Sequence, residues 1–224
     1  MKKLLSWLSI PCTALAVLSG SIACVLLVRP FYYVQIGPLG LCAASGLTAE
    51  QIGAAFDDVM DYCLGKRPDF AAGVLSFSPE GASHFADVRV LFTLNLAFLA
   101  LSVAVLSSLQ AACLRQKTKF PRLAGRTPGF WAACALAGVI LVVAALSATD
   151  FNRAFTVFHG IFFPGRWNWL FDPATDPVIL LLPEEFFRNC VIAIAALVLL
   201  GCVILLVTGR RRKAVPKRLA KSRK

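Results

Sequence analysis

Histidine is the scarcest of the residues that commonly do chemistry in this sequence: there are two, His84 and His159. Neither belongs to a His-Glu-x-x-His motif, and no second histidine lies nearby in sequence, which excludes the common helical zinc site. A two-histidine, two-carboxylate arrangement is the one metal reading left, and no metal or other cofactor is expected. The eight cysteines follow no metal-like or redox-like spacing. There is no Gly-x-Ser-x-Gly elbow, so no hydrolase of that type is indicated. There is no phosphate loop and no internal repeat. Acidic residues are also few, twelve against 23 basic ones.

What the chain has in abundance is apolar surface. It is 58% hydrophobic with a mean hydropathy of +0.73, too apolar for a soluble domain of 224 residues. Uncharged apolar runs of roughly 18 or more residues read as transmembrane helices. Four are visible: Ile10 to Val28, Val90 to Cys113, Phe130 to Thr149 and Val191 to Thr208. The expected fold is an all-α membrane protein, a four-transmembrane-helix bundle with a small extracellular cap.

The charges orient it, because basic residues favour the cytoplasmic side. Lys2 and Lys3 precede the first run. Arg115, Lys117, Lys119, Arg122 and Arg126 separate the second and third. Nine more, from Arg210 to Lys224, follow the fourth. Every acidic residue lies in or beside the other two loops. Both termini are therefore expected in the cytoplasm. Residues 1–34 form the N-terminal tail and first span, 35–86 an extracellular cap loop, and 87–149 a hairpin with a basic cytoplasmic loop. Residues 150–188 form an extracellular aromatic loop, 189–208 the fourth span, and 209–224 a basic cytoplasmic tail. The net charge of +11 is a topology signal rather than a nucleic-acid footprint. The start, MKKLLSW with an apolar run to SIAC, resembles a secretory or lipoprotein signal. The run continues past Cys24 to Val28, however, and cleavage would leave three spans, so an uncleaved span is expected.

The loops carry their own patterns. Thr48 and Gln51 fit a capping box, and Ile52, Phe56, Val59, Met60 and Cys63 follow helical spacing, which predicts an amphipathic helix from Thr48 to Cys63. Val74 to Pro79 alternates enough for a short strand or extended segment. Cys42 and Cys63 share this loop, where a disulfide is an open alternative. The third loop is dense in Phe and Trp, which prefer the membrane–water interface, so it is expected at the outer bilayer surface. It reads either as a plain aromatic belt or as a pocket for lipid tails or glycerol. In the spans, Asn95 and Arg29 read as packing and snorkelling residues or as facing an outer-leaflet cavity.

Both histidines adjoin a membrane boundary on the outer side. His84 starts a helix in SHFADVRVLF, with Asp87 at i+3, placed to orient the imidazole; Arg89 points elsewhere on that helix. The second and third spans are expected to be neighbours because the connection between them is short, bringing the imidazoles within about 10 Å, close enough to act on one substrate. Ser76, Ser78 and Ser83 precede His84 without a spacing that marks a nucleophile.

Two stretches, FSPEGASHFADVRVLF (Phe77 to Phe92) and FHGIFFPGRWNWLFDPATDPVILLLPEEFF (Phe158 to Phe187), resemble the signature regions of the lipoprotein intramolecular transacylase family of bacterial membrane proteins. AAFDDVMDYCLG (Ala54 to Gly65) is a weaker third match. The resemblance implies four spans with an extracellular cap in the bacterial cell membrane. It implies transfer of the sn-2 acyl chain of a diacylglyceryl lipoprotein to the α-amine of its own N-terminal cysteine, giving a lyso-form lipoprotein. The partners implied are diacylglyceryl lipoprotein substrates and membrane lipids, with no nucleic acid. The family's two functional histidines match His84 and His159. Asp87, Arg89, Arg166, Trp167, Asp172, Asp176 and Glu184 lie in the same motifs and are candidates for supporting or substrate-binding roles. The competing readings are a non-enzymatic assembly or lipid-binding protein, and another lipid acyl hydrolase or acyltransferase using a serine beside His84.

Overall fold

A computed structural model describes residues 2–118 and 121–209. The Arg210–Lys224 tail and Lys119, on which part of the charge argument rests, lie outside the described residues. The described chain folds as α1 (Lys2–Leu27), α2 (Pro30–Tyr33), α3 (Leu41–Ser45), α4 (Ala49–Cys63), α5 (Pro79–Arg115), α6 (Pro128–Thr149), α7 (Phe151–Phe162), a 3-10 turn (Pro177–Leu180) and α8 (Glu184–Gly209). Four segments, Leu5–Leu27, Pro79–Arg115, Pro128–Thr149 and Glu184–Gly209, are long and apolar enough to cross a membrane.

The helices extend beyond their apolar runs because caps and polar turns continue them. α5 is the clearest case, at 37 residues. That is about 55 Å of helix, against a hydrocarbon core of about 30 Å. Ser78 caps its start by accepting from the Gly81 N–H, and Pro79 takes the first turn, where its missing N–H costs nothing. His84 therefore stands before the apolar segment that begins at Val90. Of the two readings of Val74 to Pro79, a short strand or an extended segment, the strand is absent: among the described residues the only β pairing is an isolated bridge between Leu123 and Arg126. Val74 to Phe77 has no strand to pair with, and Ser78 is committed to capping.

Span packing departs from expectation. The second and third spans do not form a packed pair. Instead α1 packs against α5, α6 and α8, and α6 packs against α8. A short connection limits the distance between helix ends without preventing a third helix from lying between them. Small residues admit the close approaches: a Cβ on Gly201 would sit 2.7 Å from Val17, and one on Gly209 2.7 Å from Thr127. The Asn95 amide donates to the Ser19 carbonyl at 3.2 Å, so it joins α1 to α5.

Above one end of the bundle sits a compact cap. Thr48 and Gln51 form the capping box of α4, worth about 1 kcal/mol. The buried face of α4 is Ile52, Ala55, Phe56, Val59, Met60 and Cys63. Tyr32 stacks on Phe56 with centroids 3.7 Å apart, meets Phe186 edge-on, and donates its hydroxyl to the Leu181 carbonyl at 2.8 Å. Arg29 leaves the top of α1 and pairs with Asp57 at 2.7 Å and Asp61 at 2.5 Å, locking α4 to the bundle. Cys63 is buried, Cys42 is exposed, and both are free thiols, so the disulfide alternative is not realised.

Candidate active site

The segment after α6, read as a loop, contains a helix. Asp150 breaks α6 with an extended backbone and then caps α7, accepting from the Arg153 N–H at 2.9 Å. Phe151, Phe155, Phe158, His159 and Phe162 recur at helical spacing, a signal the aromatic density obscured. His159 is buried, while Val157, Phe158, Ile161 and Phe162 on the same helix are exposed. Since α6 does not pack on α5, it is α7 that carries His159 across to the start of α5.

There the imidazoles of His84 and His159 face each other with ring centroids 5.8 Å apart, inside the expected 10 Å. Both are buried. Aromatic rings enclose them. Phe163 and Phe171 meet His84 edge-on at 5.1 and 5.4 Å, and Trp169 stacks on His159 at 4.3 Å with Phe155 also at 4.3 Å. His159 Nδ1 lies 2.8 Å from the Phe155 carbonyl oxygen. A carbonyl only accepts, so this nitrogen carries the proton and Nε2 carries the free lone pair. Nδ1 of His84 is buried with no partner among the described residues.

Burial sets the protonation of both rings. His84 is pushed down from the ordinary imidazole value to about 4, mainly by desolvation and further by the neighbouring His159, with Asp87 acting in the opposite direction. His159 is also lowered by desolvation, against the opposing effect of its bond to the Phe155 carbonyl. Both are neutral at neutral pH, one with an aligned acceptor nitrogen.

The remaining sequence candidates divide. Asp87 does not hydrogen-bond His84, contrary to the i+3 expectation. Its Oδ2 accepts from Asn168 Nδ2 at 3.2 Å and pairs with Arg166 Nε at 3.3 Å. Helical spacing puts Asp87 on the right face, but the long loop supplies a better donor. Asp176 is buried, accepts from the Ser78 N–H at 2.8 Å and from the Thr175 hydroxyl at 2.9 Å, and so pins the loop to the positive end of α5. Gly81 permits this: a Cβ there would collide with the Asp176 carboxylate. Asp172 builds the turn beneath, accepting from the Ala174 N–H. Arg89 turns to the cap, lying over Tyr62 and donating to the Arg67 carbonyl. Trp167 is 71% exposed, and Glu184 is exposed without an ion pair among the described residues. The residues missed are Trp169 and Asn168. Nothing in Arg166–Trp167–Asn168–Trp169 tells which tryptophan turns inward or which partner the Asn168 amide meets.

Among the described residues no serine hydroxyl bonds to either histidine; Ser83 Oγ accepts from Asn168 Nδ2 at 3.4 Å, and Ser78 is the helix cap. Among the described residues no group of three His, Cys, Asp or Glu side chains could hold a metal ion.

Comparison with known proteins points in one direction. The family model for lipoprotein intramolecular transacylase Lit matches residues 7–187. No curated protein sequence matches. The fold is similar to the in meso structure of the membrane integral lipoprotein intramolecular transacylase Lit from Bacillus cereus, at a TM-score of 0.83 and 22% identity over 93% of this chain and 94% of that one. Two variants of the Bacillus cereus protein, with one histidine replaced by arginine or by alanine, give TM-scores of 0.77 and 0.76 at 21% and 22% identity. Each covers 93% of this chain, and 90% and 91% of theirs.

Proposed function

The chain belongs to the lipoprotein intramolecular transacylase family, and on that premise we propose how its two histidines carry the transfer. It is a membrane-integral acyltransferase. In the proposed reaction the α-amine of a lipoprotein's N-terminal cysteine attacks the sn-2 ester of the diacylglyceryl group on its own sulfur. N, Cα, Cβ, S, two glycerol carbons, the ester oxygen and the acyl carbon then form an eight-membered ring, and such rings close poorly in water. Holding the ends together is the first task. The aromatic enclosure of Phe155, Phe163, Trp169 and Phe171 suits it and shields the ester from hydrolysis.

The second task is proton transfer. His159 acts as the base: its Nδ1–H is tied to the Phe155 carbonyl, so Nε2 takes the proton that the amine loses as the N–C bond forms. The resulting imidazolium returns that proton to the glycerol oxygen as the C–O bond breaks. His84, neutral and desolvated, donates a hydrogen bond to the carbonyl oxygen as negative charge develops there. Asp176 and Asp87 position these groups through the loop without touching the reacting atoms.

The observation that carries this reading is the buried imidazole pair 5.8 Å apart, with one tautomer fixed by a backbone carbonyl. The Bacillus cereus protein keeps its fold with a histidine replaced, so alanine variants here are expected to fold. Mass spectrometry of a diacyl lipopeptide incubated with the purified protein tests the reading. The product expected carries one N-acyl and one O-acyl chain; an unacylated amine throughout would refute it. The basic loop supports a cytoplasmic Leu123, with the cap and active site on the outer face of a bacterial membrane. Cysteine labelling should place Leu123 inside and Asp69 and Asp172 outside.

A further inference from the structure

A second polar atom, on the loop bonded to the start of α5, is buried and unpartnered among the described residues: Oδ1 of Asn168. Its orientation follows from its other bonds. Nδ2 donates to the Asp87 carboxylate at 3.2 Å and to Ser83 Oγ at 3.4 Å. A carboxylate only accepts, so the nitrogen must face Asp87, and the orphan on the other side is an acceptor. Arg166 holds Asp87 in place from the far side. Asn168 is also next to Trp169, which stacks on His159, while Ser83 and Asp87 flank His84 in sequence and on α5. The amide is therefore fixed against the turn of α5 that carries His84, on the loop whose next residue stacks on His159.

A buried acceptor without a donor costs about 1–3 kcal/mol, and such groups usually mark a missing partner. The substrate's chemistry narrows that partner. A diacylglyceryl thioether offers ester oxygens and a sulfur, all acceptors. The donors at its reacting end are the α-amine and the adjacent backbone N–H groups, and the amine is the one drawn to the histidines.

We propose that Asn168 is a substrate-binding residue whose Oδ1 accepts a hydrogen bond from the α-amine of the lipoprotein's N-terminal cysteine and turns its lone pair toward the ester. The assignment rests on the transacylase reading above. A neutral amide suits the task better than a carboxylate would. It orients the N–H without adding a negative charge that would hold the amine protonated. It also explains why Asp87, which lies on the same helix face as His84, is occupied by Asn168 and Arg166: a free carboxylate there would hold the ammonium form.

The test uses two unreactive ligands in detergent micelles. One is a dialkyl-ether glyceryl lipopeptide with a free α-amine; the other is its deamino analogue, in which hydrogen replaces the amine. Binding is read by displacement of a fluorescent ether lipopeptide. Wild-type protein should favour the amine ligand by at least roughly tenfold, and Asn168→Leu should cut that preference by roughly tenfold while binding the deamino ligand normally. Asn168→Ala serves where the leucine variant does not fold. No preference in the wild type, or an unchanged preference in the variants, overturns the assignment. Failure of the transacylase reading is separate, since it appears as wild-type protein that makes no N-acylated product from a reactive diacyl peptide.

Discussion

The cap end of the bundle and the spans below it are built by different rules. At the cap end, side chains are tied to particular partners: Tyr32 to the Leu181 carbonyl, Arg29 to the Asp57 and Asp61 carboxylates, Asp176 to the Ser78 N–H, His159 to the Phe155 carbonyl. In the spans the main buried apolar cluster is small, Ala133, Leu136, Val198 and Cys202 with a few neighbours; the buried polar residues there are serines, Ser6, Ser9, Ser19, Ser21 and Ser102, and residues such as Leu141, Val142 and Val203 face outward. Lipid is as apolar as leucine, so the spans need only apolar surface and a few tight contacts. The cap end buries ionisable groups, His84, His159 and Asp176, each of which needs a particular partner, whereas span serines such as Ser9 and Ser21 bond back to carbonyls of their own helix. Substitutions at the cap end should therefore change chemistry, and substitutions in the spans should change stability or nothing.

The largest effects should fall on the histidines. His84→Ala and His159→Ala are each expected to lower lyso-form production by roughly 10² to 10⁴, the usual contribution of an acid–base group, with expression and topology unchanged. Near-normal product from either would remove that residue from the mechanism. Next comes Asp176→Ala, which leaves the Ser78 N–H without its acceptor; a loss of about 1–3 kcal/mol at the cap end should appear as a lower melting temperature together with reduced turnover. Gly201→Leu should destabilise by a similar 1–3 kcal/mol through collision with Val17, while turnover per folded molecule stays near wild type. A large fall in turnover there would erase the distinction between the two regions. Trp169→Leu should cost about 0.5–1.5 kcal/mol of stacking on His159, a few-fold in rate, and Trp167→Leu should cost less. Leu141→Ala should stay within about 0.5 kcal/mol.

The contrast also explains how much was legible. Hydropathy alone marked all four spans, because the bilayer asks only for length and apolarity. The capping box at Thr48 and the apolar face through Cys63 marked α4, since both are local patterns. The two histidines do come close, but not through a packed hairpin of the second and third spans: α1 separates α5 from α6, and α7 makes the bridge. That helix was hidden because its phenylalanines were read as an interfacial belt rather than by their spacing. The roles of Asp87, Asn168 and Trp169 are tertiary, decided by which donor or ring the long loop delivers to α5. Helical spacing from His84 could not anticipate them.

Protonation sharpens the same picture. An ordinary imidazole would place an acid limb in the activity profile below about pH 6. Burial lowers both rings, so the neutral, active forms persist to lower pH and the acid limb should fall below the ordinary imidazole value, at a position set by His159 as the base. An acid limb remaining near the ordinary imidazole value would mean that water reaches the pair.

The most direct test of the central claim, that the two imidazoles act on a single transfer, is the lyso-form yield of the double variant His84→Ala/His159→Ala against each single, measured by mass spectrometry of the N-terminal lipopeptide. Groups that work as a unit are non-additive, so the double variant should be within a few-fold of the weaker single. Losses that multiply would contradict the account and show that the two imidazoles contribute independently of each other.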